Sequence, residues 1–208
     1  MIREGVKKII NINFFFFMFI AFVFQLFSLD SSTSPRILGY ESGDLHLKGL
    51  VFLFIIITGE LSKNVLQREK TSKRLEWFLG NGCSLHRLFI SYSMIQYIAS
   101  ILVMAPSWIW ILFKDKITWV PMINTSIQCF LLTLSINLYI LQTKNMKKFH
   151  RISLKFIILY IFTMFLEFGM IHIIKDYRAV FLVSILFFLG ILFSYSHISL
   201  EDVITSYY

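Results

Sequence analysis

The chain has 208 residues, 57% of them hydrophobic and only 15% charged, with a mean hydropathy of +0.71 and 23 phenylalanines. A water-soluble domain of that size needs more polar surface, so the composition excludes the ordinary soluble globular class and points to a multi-span membrane protein. The net charge of +8 would suggest nucleic acid in a soluble protein; in a membrane chain the positions of the charges matter more than their sum, and no nucleic-acid partner is expected.

Residues 1–8 form a short basic lead with Arg3, Lys7 and Lys8. Residues 9–29 are the first predicted span. They include the run Phe14 to Phe17 and reach the ~20 residues that a bilayer core requires. The run is too long for a removable signal peptide and lacks a small-residue cleavage site. Its phenylalanines are expected to face lipid. Residues 30–44 have loop composition, with Pro35, Gly39 and Gly43 among serines and acids. The second predicted span is 45–61. It contains Lys48 and ends near Glu60, and both charges are expected to snorkel to the interfaces.

After a charged stretch, a third span is predicted over 88–113. Pro106 is expected to kink it or to end its regular part. Trp108 and Trp110 suit an interfacial aromatic belt. The fourth span, 117–141, carries Asn124, Gln128 and Asn137, whose amides need partners on neighbouring helices. A second basic loop follows, with Lys144, Lys147, Lys148, Arg151 and Lys155. The fifth span, 152–174, holds Glu167 and His172, and the sixth is predicted over 179–200. The predicted fold class is therefore all-α: six transmembrane helices in a single transmembrane domain, 1–208, with an amphipathic surface helix between the second and third.

Of the 20 Lys and Arg residues, 14 fall on the side of the N-terminus in this plan and 6 on the other. The positive-inside rule then places both termini in the cytoplasm of a cell-membrane protein. Cys83 falls on that side and Cys129 inside a span, so no disulfide is expected between them.

Catalytic and nucleotide motifs are absent from the sequence. The five histidines show no H-E-x-x-H spacing, no Gly-x-Ser-x-Gly elbow occurs, and there is no Walker A pattern. A metal site is not expected. If ATP drives the protein, another chain must hold the nucleotide. Glu167 is the one acid well inside a predicted span, where a charge costs about 2.5–3.5 kcal/mol on insertion scales. It is either a pathway or gate residue, together with His172, or a carboxyl satisfied by another helix.

The charged stretch is Glu69 to Phe89. A helix is predicted over 63–79. Leu75, Phe78 and Leu79 share an apolar face, while Lys70 and Lys73 fall on the far side. Glu69 can pair with Lys73 at i,i+4. Trp77 falls among the charges. Gly80-Asn81-Gly82 ends the helix, and Ser84 can cap the next. The bland reading is a basic loop that fixes topology. The sharper one is a docking element for a cytoplasmic partner.

This stretch resembles the first cytoplasmic loop of type-2 ATP-binding cassette (ABC) exporter permeases. Glu69, the run Arg74 to Leu79 and Ser84 match that pattern; the usual proline is absent, and Gly82 stands near its place. The resemblance implies a half-permease that pairs with a second permease subunit, identical or related, in the lipid bilayer. ABC ATPase subunits would carry ATP and Mg and dock at Glu69, Lys73, Arg74, Leu75, Glu76, Trp77, Phe78 and Leu79. It implies alternating access, and a loosely helical or re-entrant segment near Phe168-Gly169 would fit it. The apolar, aromatic pathway favours a hydrophobic or amphipathic cargo: a peptide such as a bacteriocin or cytolysin first, a drug or lipid-like molecule next. The alternatives are a polytopic intramembrane enzyme and a stand-alone immunity or scaffold protein.

Overall fold

A computed structural model of the chain describes Phe19, residues 42–114, 119–143, 151–174 and 180–198, and Val203. The predicted first span and most of the second basic loop lie outside the described residues. The main helices are α1 (Ser42–Ser62), α2 (Arg68–Thr71), α3 (Arg74–Gly80), α4 (Leu85–Lys114), α5 (Trp119–Gln142), α6 (Ile152–Ile174) and α7 (Val180–Ser196). A π-helical stretch, Lys63–Gln67, joins α1 to α2. No strand occurs among the described residues.

Four segments are long and apolar enough to cross a membrane: Leu47–Thr71, Leu85–Ile111, Val120–Gln142 and Ile152–Ile174. The fifth apolar helix, Val180–Ser196, is shorter. These correspond to five of the six predicted spans, and their number and apolar length mark a helical membrane protein. Two spans depart from their predicted ends. The second span does not stop at residue 61, because Ser62, Gln67 and Arg68 all keep right-handed helical backbone. Thr58, Ser62, Leu66 and Lys70 recur every fourth residue and are all buried, so one inward stripe carries the helix onward. In α4 the helix runs through Pro106 to Lys114, so the proline does not end it. Likewise α6 continues unbroken through Phe168-Gly169 to Ile174, with no re-entrant break there.

Helix α5 is the centre of the bundle. In its apolar window 72% is buried, against 11% in α6. It packs most on α1, then on α7 and α4. Side-chain pairs give the directions. Lys48 meets Gln128 and Ser62 meets Asn137, so α1 and α5 run parallel. Thr58 meets Ser100 and Ser62 meets Gln96, so α4 runs antiparallel to α1. Phe52 against Tyr160, with Lys48 against Glu167, sets α6 antiparallel to α1 as well. Outward faces of α6 and α7 are apolar: Ile158, Phe162, Phe165, Leu186, Leu189 and Phe193 are all exposed. Such a surface suits lipid and would be unfavourable in water.

Helix α1 comes close to α6 at Gly59. A Cβ on Gly59 would lie 2.5 Å from the Ser153 hydroxyl oxygen but 3.6 Å from its Cβ, so alanine requires only that hydroxyl to rotate, while a larger side chain would push the helices apart.

Candidate functional site

Two constellations stand out, one inside the bundle and one at its end. Inside, Glu167 is fully buried. Its Oε2 accepts a hydrogen bond from Lys48 Nζ at 2.5 Å, and its Oε1 accepts one from Gln128 Nε2. Gln128 Oε1 accepts in turn from Lys48 Nζ at 3.0 Å. The three side chains close a ring across α1, α5 and α6. Lys48 also lies 6.0 Å above the Tyr160 ring, at the outer limit of a cation–π contact. Lys48 therefore does not snorkel. Its partner at the same depth neutralises it, which removes most of the cost that an isolated charge would bear in hydrocarbon. Beside the ring, a small cleft lined by Gln128, Tyr160, Thr163, Ser184 and Phe187 opens between α5, α6 and α7.

His172 does not join this ring. It is exposed and stacked on Phe168. Five residues separate it from Glu167, which turns it about 140° round the helix. The expected pair of pathway residues is thus split between the inside and the outside of α6.

A second polar level lies further along α1. Ser62 Oγ sits 2.7 Å from Gln96 Oε1 and 3.0 Å from Asn137 Oδ1, and Asn137 Nδ2 donates to Ser93 Oγ at 3.0 Å. Thr58 donates to Ser100 at 2.8 Å. Asn124 accepts from Ser184 at 3.0 Å. Among the described residues, Asn124, Gln128 and Asn137 find partners on α1, α4, α6 and α7, but the Asn124 Nδ2 is buried without one. Thr133 and Ser135 instead turn their hydroxyls back to carbonyls of their own helix. Among the described residues, no three His, Cys, Asp or Glu side chains group as a metal site needs. Both cysteines are free, Cys83 half-buried and Cys129 buried.

At the end of the bundle lies the charged stretch. The predicted single helix over 63–79 is broken: Lys73 adopts left-handed backbone, with φ 58° and ψ 14°. The reason is visible on either side of it. Lys70 is fully buried, not on a solvated face. Its ammonium donates to the backbone carbonyls of Ile140 at 3.1 Å, Leu141 at 2.6 Å and Thr143 at 3.1 Å. Those are the orphan acceptors at the C-terminus of α5, where the helix dipole favours a cation. Leu75, only 2% exposed, must also turn inward. A straight helix cannot satisfy both, and the left-handed residue re-aims the chain.

Past the break, Leu75 anchors α3, while Phe78 and Leu79 lie half-buried against the core. Trp77 is 64% exposed and meets the Phe78 ring edge-on. Lys73 and Arg74 are exposed and Glu76 is partly so. Glu69 pairs with Arg74 at 3.3 Å, in place of the expected Lys73. The helix ends in a Schellman turn: Cys83 N–H donates to Phe78 O at 3.0 Å and Gly82 N–H to Leu79 O at 3.1 Å, with Gly82 at φ 81°. Ser84 Oγ then accepts from Arg87 N–H at 3.3 Å, capping α4 as the sequence suggests.

The surface of α3 therefore presents Lys73, Arg74 and Trp77 outward, with Leu75 as the anchor beneath. Sequence reasoning passed over Ser62 and Gln96, and it placed Lys48 at an interface and Lys70 on a solvated face, whereas both lysines are buried. For Lys48 a signal existed: one basic and one acidic residue, each inside a predicted span, are cheapest when paired. Comparison with family models, with curated proteins and with solved structures finds no match to this chain.

Proposed function

We propose that this chain is a transmembrane permease subunit of an ABC-type exporter, powered by a separate ATPase that docks on α3. What supports this most is the short surface helix itself. It is anchored by one buried leucine, bounded by a left-handed residue and a Schellman turn, and exposes Trp77 between charges. A large aromatic left in water beside charged groups is the composition of a protein contact rather than of an idle loop. The helix is also tied to the bundle by Leu75 and, through the adjoining Lys70, to α5. A docked motor protein would thus have a rigid grip on the spans.

The sites for ATP and Mg belong to that partner. A second permease subunit, a copy or a relative, completes the pathway, and the exposed apolar faces of α6 and α7 suit lipid or that subunit. The charge bias of the loops supports a cytoplasmic position for α3. Setting aside buried Lys48 and Lys70 takes one basic residue from each side and leaves the bias unchanged. The cargo is hydrophobic or amphipathic, with a peptide favoured. An intramembrane enzyme is less well supported, because both oxygens of Glu167 are engaged and His172 lies on the opposite side of its helix.

The test is co-purification of the full chain with the ATPase that its own host supplies. An ATP-hydrolysing subunit should stay bound to the wild type. It should be lost on Trp77→Ala with Glu76→Ala, while the thermal stability of the chain is kept. An unchanged complex, or a cysteine at position 77 that is labelled only from outside the cell, would overturn the reading.

A further inference from the structure

We infer that α5 is a transmission rod: Lys70 links the surface helix α3 to one end of it, and Gln128 links its other half to the buried Lys48–Glu167 pair. The inference deepens the permease reading, since it names which span a docked motor would move and what that movement would release.

Three observations combine. First, the Lys70 ammonium has three protons and three carbonyl acceptors within 3.1 Å, two in the last turn of α5 and one at Thr143 just past it. Lys70 lies three residues before the left-handed turn that launches α3, so displacement of α3 pulls on α5 directly. Second, the stretch from Gln128 to Leu141 contains no glycine or proline, and at 1.5 Å per residue it is a stiff rod of roughly 20 Å. Third, Gln128 bridges the ion pair from the side of α5, accepting from Lys48 and donating to Glu167. Hydrogen bonds weaken steeply with stretch, so a slide of α5 by about 2 Å along its axis carries a cross-helix partner now at 3.0 Å to about 3.6 Å, out of hydrogen-bond range. The ion pair then loses the amide that holds both of its members. Lys70 is a positioning residue in this scheme; it touches neither Lys48 nor Glu167 and acts through α5.

The full chain in lipid nanodiscs, treated with a hydrophobic carbodiimide that attacks carboxyl groups reachable from the lipid, reads the state of Glu167 by mass spectrometry. Lys48→Met is the positive control, and Glu167→Gln identifies the labelled position. Lys70→Met should raise labelling at Glu167 by roughly 5-fold or more, the low end of a typical coupling between sites. Lys70→Arg, which keeps a cation on the carbonyls, should return it towards the wild-type level. Where Lys70→Met does not fold, Lys70→Gln is the milder variant, with a smaller rise expected. A folded Lys70 variant that labels like the wild type overturns the transmission and leaves the permease reading standing. Labelling that responds to Lys70 in a chain that no ATPase ever joins overturns the permease reading and leaves the transmission standing.

Discussion

Lys48 Nζ lies 2.5 Å from Glu167 Oε2, joining residues 119 positions apart in the chain, and both are buried. This pair decides how α1, α5 and α6 pack, because at bilayer depth neither charge is tolerable alone. Removing one partner by Lys48→Met or Glu167→Leu should destabilise the bundle by about 3–5 kcal/mol, the usual cost of leaving a buried charge without its partner. Combining Lys48→Met with Glu167→Leu should recover most of that loss. Unfolding of the single and double variants in mixed micelles measures it, and additive losses would show that the two residues do not act as a pair.

Asn137 joins Ser62, Gln96 and Ser93 in the second polar level. Inter-helix hydrogen bonds in membranes contribute about 0.6 kcal/mol on average and seldom more than about 1.7. Asn137→Leu should accordingly cost about 1–2 kcal/mol, more than one bond, because it also takes the Asn137 partner from buried Ser93 and leaves Ser62 with Gln96 alone. The same unfolding assay applies, and a neutral or stabilised variant would mean that the level contributes nothing to packing.

Gly59 sits where α1 approaches Ser153 on α6. Gly59→Ala should be tolerated with a small loss, since the atom it meets is a hydroxyl that can rotate. Gly59→Leu should cost about 1–3 kcal/mol or more through overpacking. Thermal aggregation curves of the purified variants separate the two, and equal midpoints would place the helices further apart than described.

In α3, adjacent side chains should behave in opposite ways. Leu75→Ala removes a buried anchor and should cost about 2–5 kcal/mol. Trp77→Ala, at a site 64% exposed, should stay within about 0.5 kcal/mol while abolishing partner binding. A melting series on the isolated subunit reads the first effect and pull-down of the ATPase the second.

The two left-handed residues make a matched pair. Gly82, at φ 81° with open space where a Cβ would go, should lose about 1 kcal/mol on Gly82→Ala from backbone strain alone. Lys73, at φ 58°, should gain up to about 1 kcal/mol on Lys73→Gly, which relieves the same strain. Melting temperatures moving in the same direction for both would contradict the left-handed turn at Lys73.

Much of the architecture is local information and could be read along the chain. The fifth predicted span coincides with Ile152–Ile174, because an apolar run flanked by basic residues on both sides in the sequence defines its own ends. Gly80-Asn81-Gly82 and Ser84 terminate and start helices as read, since capping depends on a handful of adjacent residues. The tertiary structure alone decided where the charges go. A lysine near the end of a span reads as snorkelling and a lysine on a helical wheel reads as solvated. Lys48 and Lys70 became buried because acceptors on other helices, Glu167 and the last carbonyls of α5, happen to stand at the right depth. Periodicity reports which residues share a face; only the neighbouring helix supplies the partner that makes burying a charge affordable.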